Sequence, residues 1–142
     1  MERDEELFLA LLQEAKEARK RGYAPYSNFA VGAALLCEDG TVYKGCNVEN
    51  AAFSPTNCAE RTAVFKAVSE GKRKFRAIAI VGGKIGEELT DWCAPCGVCR
   101  QVLNEFVDQE EFLVILGKEG KEYKKYVLQE LLPMGMKPEV LM

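Results

Sequence analysis

The sequence predicts an α/β domain, a β-sheet with helices on its faces, and three observations lead there. Segments with helical spacing of apolar residues alternate with short β-branched runs. Phe29–Cys37 is an almost unbroken apolar run, which as a strand is covered on both faces. The chain has 142 residues, the size of one domain, so a single domain over 1–142 is expected.

From Asp4 to Arg21 the residues Leu7, Phe8, Leu11, Leu12, Ala15 and Ala18 recur at helical spacing, and Gly22 is placed to stop that helix. Asp39-Gly40 separates the Phe29–Cys37 strand from Thr41–Val48, which together read as a hairpin. Pro55–Glu70 carries Ala59, Ala63, Val64, Ala67 and Val68 as a second helix ending at Gly71. Arg76–Val81 is a third strand closed by Gly82-Gly83, and the stretch from Gly82 to Ala94 is the longest irregular piece, a candidate site border. Pro95–Phe106 restores helical periodicity with Pro95 suited to the first turn. Phe112–Leu116 is a fourth strand, Lys121–Val127 a more polar edge strand, and Val127–Leu132 a short last helix ended by Pro133.

Composition narrows the function classes. With 48% hydrophobic, 29% charged and 9% aromatic residues, the chain is neither disordered nor collagenous nor of low complexity. A formal charge of -3 and a pI near 5.2 argue against a broad phosphate-binding surface, so no nucleic-acid partner is expected. The longest apolar run near the N-terminus, Leu7–Leu12, lies among charges and fits neither a signal peptide nor a membrane span. A cytoplasmic protein is expected, and in that compartment the thiols of Cys37, Cys46, Cys58, Cys93, Cys96 and Cys99 point to metal or catalysis rather than to disulfides. There is no histidine, so hydrolytic chemistry here must run on carboxylates and thiolates.

Cys96-Gly97-Val98-Cys99 places two thiols three residues apart at a helix start, where unpaired N–H groups and the helix dipole favour thiolate. Alone, this spacing fits a redox pair or half a metal site. Cys58-Ala59-Glu60 opens another helix and adds a third thiol and a carboxylate. Three protein ligands with one open position is the arrangement of a catalytic zinc, and Glu60 would then be the general acid and base beside its water.

These two helix starts, C-A-E and P-C-G-V-C-R-Q, resemble the signature of the zinc-dependent deaminases, in the variant with Cys in place of His. Tyr23–Ser27 before Phe29, Val31–Leu36, Gly45–Ala52, Cys58–Ala63, Pro95–Gln101 and Leu131-Leu132-Pro133 look, in order and over nearly the whole chain, like the small homotetrameric cytidine deaminases. The resemblance implies a three-layer α/β/α sandwich with a five-stranded mixed sheet. It implies one Zn²⁺ per chain on Cys58, Cys96 and Cys99, and a pyrimidine nucleoside as substrate. Glu60 would take a proton from the zinc-bound water, which attacks C4 of cytosine, and pass protons to N3 and the departing amine, giving uridine or deoxyuridine and ammonia in pyrimidine salvage.

By the same resemblance Phe29 meets the pyrimidine, Asn47 and Glu49 bind ribose, and the backbones of Ala59 and Cys96 meet the base. From the residues alone, Asn47 and Glu49 share one face of a strand and could grip ribose hydroxyls, but spacing by itself favours a turn amide and a solvated carboxylate, and a Phe opening a buried strand is more often core. Three thiolates outweigh the charge of Zn²⁺ and weaken it as a Lewis acid, so compensation is required. Arg61 supplies it in the family; otherwise it is a solvated helix arginine. Ala51 and Phe53 match a segment that reaches a neighbouring subunit's site in a homotetramer. Cys37 and Cys46 read as small buried hydrophobes and Cys93 as no ligand.

One departure stands out. After Leu131-Leu132-Pro133 the family has an aromatic residue, whereas this chain reads Met134-Gly135-Met136. A modified substrate such as blasticidin S is therefore an alternative to cytidine. Further alternatives are a deaminase of nucleic acid and a small non-catalytic module folded by its metal.

Overall fold

In the computed structural model, which describes residues 2–141, strand β1 (Phe29–Cys37) lies between β2 (Val42–Cys46) and β3 (Phe75–Lys84), both antiparallel to it. Strand β4 (Leu113–Gly117) adds parallel to β3, and β5 (Tyr123–Val127) antiparallel to β4. The sheet is thus mixed, with five strands in the order β2-β1-β3-β4-β5. A parallel step needs a crossover, and between β3 and β4 it carries helix α3 (Gly97–Phe106).

Alternation along the strands separates two cores. Ala33 and Leu35 of β1, Ile78 and Ile80 of β3, and Val114 and Leu116 of β4 face one side, where helix α2 (Ala59–Ser69) covers them with Ala63, Val64 and Ala67, and α3 with Leu103. Ala34 and Leu36, Ala77, Ala79 and Val81, and Ile115 face the other side. There helix α1 (Glu2–Arg19) closes the core with Phe8, Leu11, Leu12 and Ala15. This is the expected α/β/α sandwich. A short helix α4 (Leu128–Leu131) follows β5, and a 3-10 turn spans Pro138–Val140.

Two glycines set how closely the layers approach. A Cβ on Gly32 would lie 2.0 Å from the Ala15 carbonyl oxygen of α1. On Gly45 it would lie 2.4 Å from the Ala59 carbonyl oxygen and 2.6 Å from the Ala63 nitrogen, so α2 rests on bare β2 backbone. No helix among the described residues is long and apolar enough to cross a membrane.

Several boundaries differ from the sequence expectation. β2 ends at Cys46 rather than Val48, because Val48 leaves the β1 ladder to bridge Tyr23 and Asn57. That bridge keeps Asn57 extended, so α2 begins at Ala59 and not at Pro55. β3 continues through Gly82 and Gly83, which pair with Val31 and Ala30. Cys46 is only half-buried, its Sγ donating to the Arg21 carbonyl oxygen at 3.4 Å.

Candidate active site

Cys58 and Cys96 are the N-cap residues of α2 and α3. Both have extended backbones (φ -79°, ψ 156° and φ -68°, ψ 167°), and Cys99 lies in the first turn of α3. The two helices share one face of the sheet, and their N-termini meet beside Phe29, where β1 begins. Packing therefore joins two motifs that lie 38 residues apart in sequence.

The three sulfurs all lie within 4.8 Å of one another, the sole such group among the described residues, and Cys58 Sγ is 3.6 Å from Cys96 Sγ. Tetrahedral zinc with Zn–S bonds of about 2.3 Å sets its sulfurs about 3.8 Å apart, so the thiols fit that ion. The Cys99 backbone N–H donates to Cys96 Sγ at 3.4 Å. The Cys99 thiol, with the Arg61 guanidinium, holds the Cys58 thiol down to about 5, and Cys99, which keeps the shared proton, is raised in turn. Of the pair, Cys58 is thus the one favoured as thiolate.

Glu60, one residue into α2 from Ala59, is 4% exposed. Burial pushes its carboxyl up to about 7, with the Cys58 charge adding to the effect. Such a group can take and give a proton near neutral pH. Arg61 Nη2 donates to Cys58 Sγ at 3.3 Å, while its buried Nε has no partner. The N-termini of α2 and α3 add partial positive charge at the same point.

Cys58, Glu60 and Cys96 border a cavity of about 390 Å³ whose walls also include Phe29, Val31, Asn47, Glu49, Cys93 and Ala94. Phe29 is 38% exposed and so is not a core residue. Asn47 and Glu49 reach the same cavity although they lie beyond the strand. The Asn47 amide is held by β1: Oδ1 accepts from Val31 N–H at 2.9 Å, and Nδ2 donates to the Phe29 carbonyl oxygen at 2.8 Å. One Nδ2 hydrogen remains for a ligand. Glu49 accepts from the backbone N–H groups of Tyr26 and Ser27, both at 3.1 Å, and from the Ser27 hydroxyl.

Ala59 is fully buried at the cavity edge. Ala51 and Phe53 do not reach this cavity. They border an adjoining one of about 410 Å³ that shares Ser27, Glu49 and Thr56 with it, and Phe53 is 91% exposed. Cys93 borders the main cavity, but its sulfur is outside the group of three and burial pushes its thiol up to about 12, leaving it protonated. Trp92, given no role from sequence, lies beneath the ammonium groups of Lys118 and Lys124, 4.2 and 4.9 Å from its ring centre.

Sequence reasoning gave no role to Ser27, Thr56 and Asn57, which also line the cavity. Ser27 had a signal in the turn-forming run Pro25-Tyr26-Ser27. Asn57 had none, its place depending on the long-range bridge to Val48 and on Nδ2 donating to the Thr62 hydroxyl at 3.1 Å.

The family model for the cytidine and deoxycytidylate deaminase zinc-binding region matches residues 3–115. A cytidine deaminase of Sporosarcina psychrophila is 48% identical over 131 residues, covering 92% of each chain. One from Halalkalibacterium halodurans is 47% identical over 123 residues, covering 87% of this chain and 89% of its own. Among solved structures, the cytidine deaminase of Burkholderia pseudomallei superposes with a TM-score of 0.80 at 46% identity, over 89% of this chain and 97% of that one. The Mycobacterium tuberculosis cytidine deaminase superposes with a TM-score of 0.74 at 37% identity, over 89% and 94%.

Proposed function

The chain belongs to the zinc-binding cytidine and deoxycytidylate deaminase family, and from that premise we propose that it hydrolyses free cytidine and deoxycytidine to uridine and deoxyuridine with release of ammonia. One observation carries the reading: a buried carboxyl, Glu60, stands beside three convergent thiols at the end of a cavity bordered by Phe29, Asn47 and Glu49. A closed structural metal site has no use for that carboxyl.

Cys58, Cys96 and Cys99 hold Zn²⁺, one ion per chain. When bound, zinc supplies the Lewis acidity that makes water a nucleophile near neutral pH. Glu60 would take one proton from the attacking water and return it to N3 of the ring, then take the remaining proton of the new C4 hydroxyl and deliver it to the amine, which departs as ammonia. Its raised pKa suits both directions of transfer. Arg61 draws charge from Cys58 Sγ and so lessens the excess of three thiolates over the dication. Phe29 faces the pyrimidine, the Ala59 and Cys96 backbones meet the base, and Asn47 and Glu49 bind the sugar.

The whole chain, 1–142, acts as one catalytic domain in the cytoplasm, in pyrimidine salvage. The formal charge of -3 favours a free nucleoside over a polynucleotide. It works as a homotetramer in which Ala51 and Phe53 complete a neighbour's site. Support comes from the exposure of Phe53 at 91% and Met134 at 98%, large apolar side chains without cover in the single chain. Sedimentation giving a fully active species of 15.8 kDa, rather than four times that mass, would refute shared sites.

The deciding experiment mixes purified protein with cytidine or deoxycytidine, follows the absorbance change on deamination, and repeats it after chelation with bound zinc quantified. Turnover in proportion to zinc is expected. Bound zinc with no turnover of either nucleoside, against turnover of blasticidin S, would move the substrate to a modified cytosine nucleoside.

A further inference from the structure

Ser27 lines the cavity together with Glu49 and Phe29. Its hydroxyl donates to Glu49 Oε2, and its backbone N–H donates to Oε1 at 3.1 Å. The same Oγ accepts from the Phe29 backbone N–H at 3.0 Å. One hydroxyl thus ties the carboxylate to the first residue of β1, its single hydrogen engaged on one side and a lone pair on the other.

The local backbone makes this possible. Asn28 has φ +59°, a left-handed conformation that asparagine tolerates better than most residues. Its N–H donates to the Ala24 carbonyl oxygen at 3.0 Å, and its carbonyl oxygen accepts from Ile85 N–H at 2.9 Å. The turn so closed wraps residues 26–29 around the carboxylate. A glutamate on a loop otherwise samples many rotamers, and fixing one costs entropy at binding unless it is fixed beforehand.

We propose that Ser27 is a positioning residue for nucleoside recognition, presenting Glu49 to the sugar while holding it in register with the Phe29 ring. The inference rests on the cytidine deaminase reading above. A carboxylate offers about four acceptor positions. Three are taken by Tyr26 N–H, Ser27 N–H and Ser27 O–H. One remains, so a single sugar hydroxyl satisfies Glu49, and this acceptor serves ribosides and deoxyribosides alike. Loss of the Ser27 hydroxyl then weakens sugar binding and leaves the proton transfers at Glu60 as they are.

Steady-state kinetics of the zinc-loaded protein, the S27A variant and the S27T variant test this with cytidine, deoxycytidine and 2′,3′-dideoxycytidine. In S27A, KM is expected to rise about tenfold for cytidine and deoxycytidine, the effect of losing a hydrogen bond to a charged group, while kcat changes less than threefold. For dideoxycytidine, which offers Glu49 no secondary hydroxyl, KM is expected to be the same in S27A as in the parent. S27T, which keeps the hydroxyl, is expected to stay within threefold of the parent on all three. An equal KM rise on all three substrates, or a fall in kcat with KM unchanged, would overturn the assignment. Should S27A fail to fold, S27C carries the same comparison, because a thiol of similar size is a weak donor. Absence of turnover by the parent protein would instead overturn the deaminase reading itself.

Discussion

Arg61 Nη2 lies 3.3 Å from Cys58 Sγ, reaching from the third residue of α2 back to the thiol of the N-cap residue of the same helix. The pair sets a cation against one of the three thiols at the point where two helix N-termini already add positive charge. Arg61→Gln is expected to retain a folded chain and to lose about 10- to 100-fold in zinc affinity or in kcat. Arg61→Lys should recover part of that loss, since it keeps the charge without the planar fork. Chelator competition and kcat measured on the same samples check this, and unchanged values in Arg61→Gln would make the contact incidental.

Glu60 is expected to be indispensable to chemistry and dispensable to the fold. Glu60→Gln should keep one zinc per chain and lose roughly 10²- to 10⁴-fold in kcat. Zinc analysis together with turnover tests it; retained turnover would place the proton transfers elsewhere.

Metal removal should act on stability as well as on rate. Zinc binds only where the folded chain gathers Cys58, Cys96 and Cys99, and a ligand at a thousandfold excess over its Kd adds about 4 kcal/mol. Chelation is therefore expected to lower Tm by about 10 °C, reversibly on adding zinc under reducing conditions. A Tm indifferent to the chelator would exclude the thiol group as the metal site.

Glu49 is held below the usual carboxylate range by the Ser27 hydroxyl first, then by the Ser27 and Tyr26 N–H groups. A lowered folded pKa contributes stability that is present above the unfolded value, near 4.3, and is lost as pH falls through the folded value. The stability difference between the parent and Glu49→Gln should accordingly be constant from pH 7 to pH 5 and shrink only in more acidic solution. Denaturation midpoints at graded pH measure it, and a difference already shrinking near pH 6 would contradict the lowered pKa.

Gly45→Ala tests the contact between sheet and site. With a Cβ placed 2.4 Å from the Ala59 carbonyl oxygen, α2 must move, at a cost of about 1–3 kcal/mol. Because α2 carries Glu60 and is capped by Cys58, turnover should fall along with Tm. A variant as stable and as active as the parent would show that α2 is free to shift.

The strands and helices were legible where their periodicity is long: α1, β1 and α3 lie within a few residues of the expected bounds. Legibility failed where a distant partner decides the end of an element. β2 stops at Cys46 because Val48 pairs with Tyr23 and Asn57, and β3 runs on through Gly82-Gly83 because β1 supplies partners for both. Neither bridge has a local signal. The placing of Phe29 in the cavity wall was legible only through the family resemblance, since an aromatic residue opening an apolar strand is more often core.

The sequence by itself determined the donor set: thiols at two helix starts, a carboxylate two residues from one of them, and no histidine to do either job. Those features are local, written in spacings of two and three residues. Only the tertiary structure decided that Cys58 and Cys96 stand 3.6 Å apart, that Asn47 serves β1 with most of its amide, and that one serine hydroxyl joins Glu49 to Phe29. Each of these depends on how far α2 and α3 settle onto the sheet and on where the β2 chain leaves it. Packing across two cores sets those distances, and no short stretch of residues encodes them.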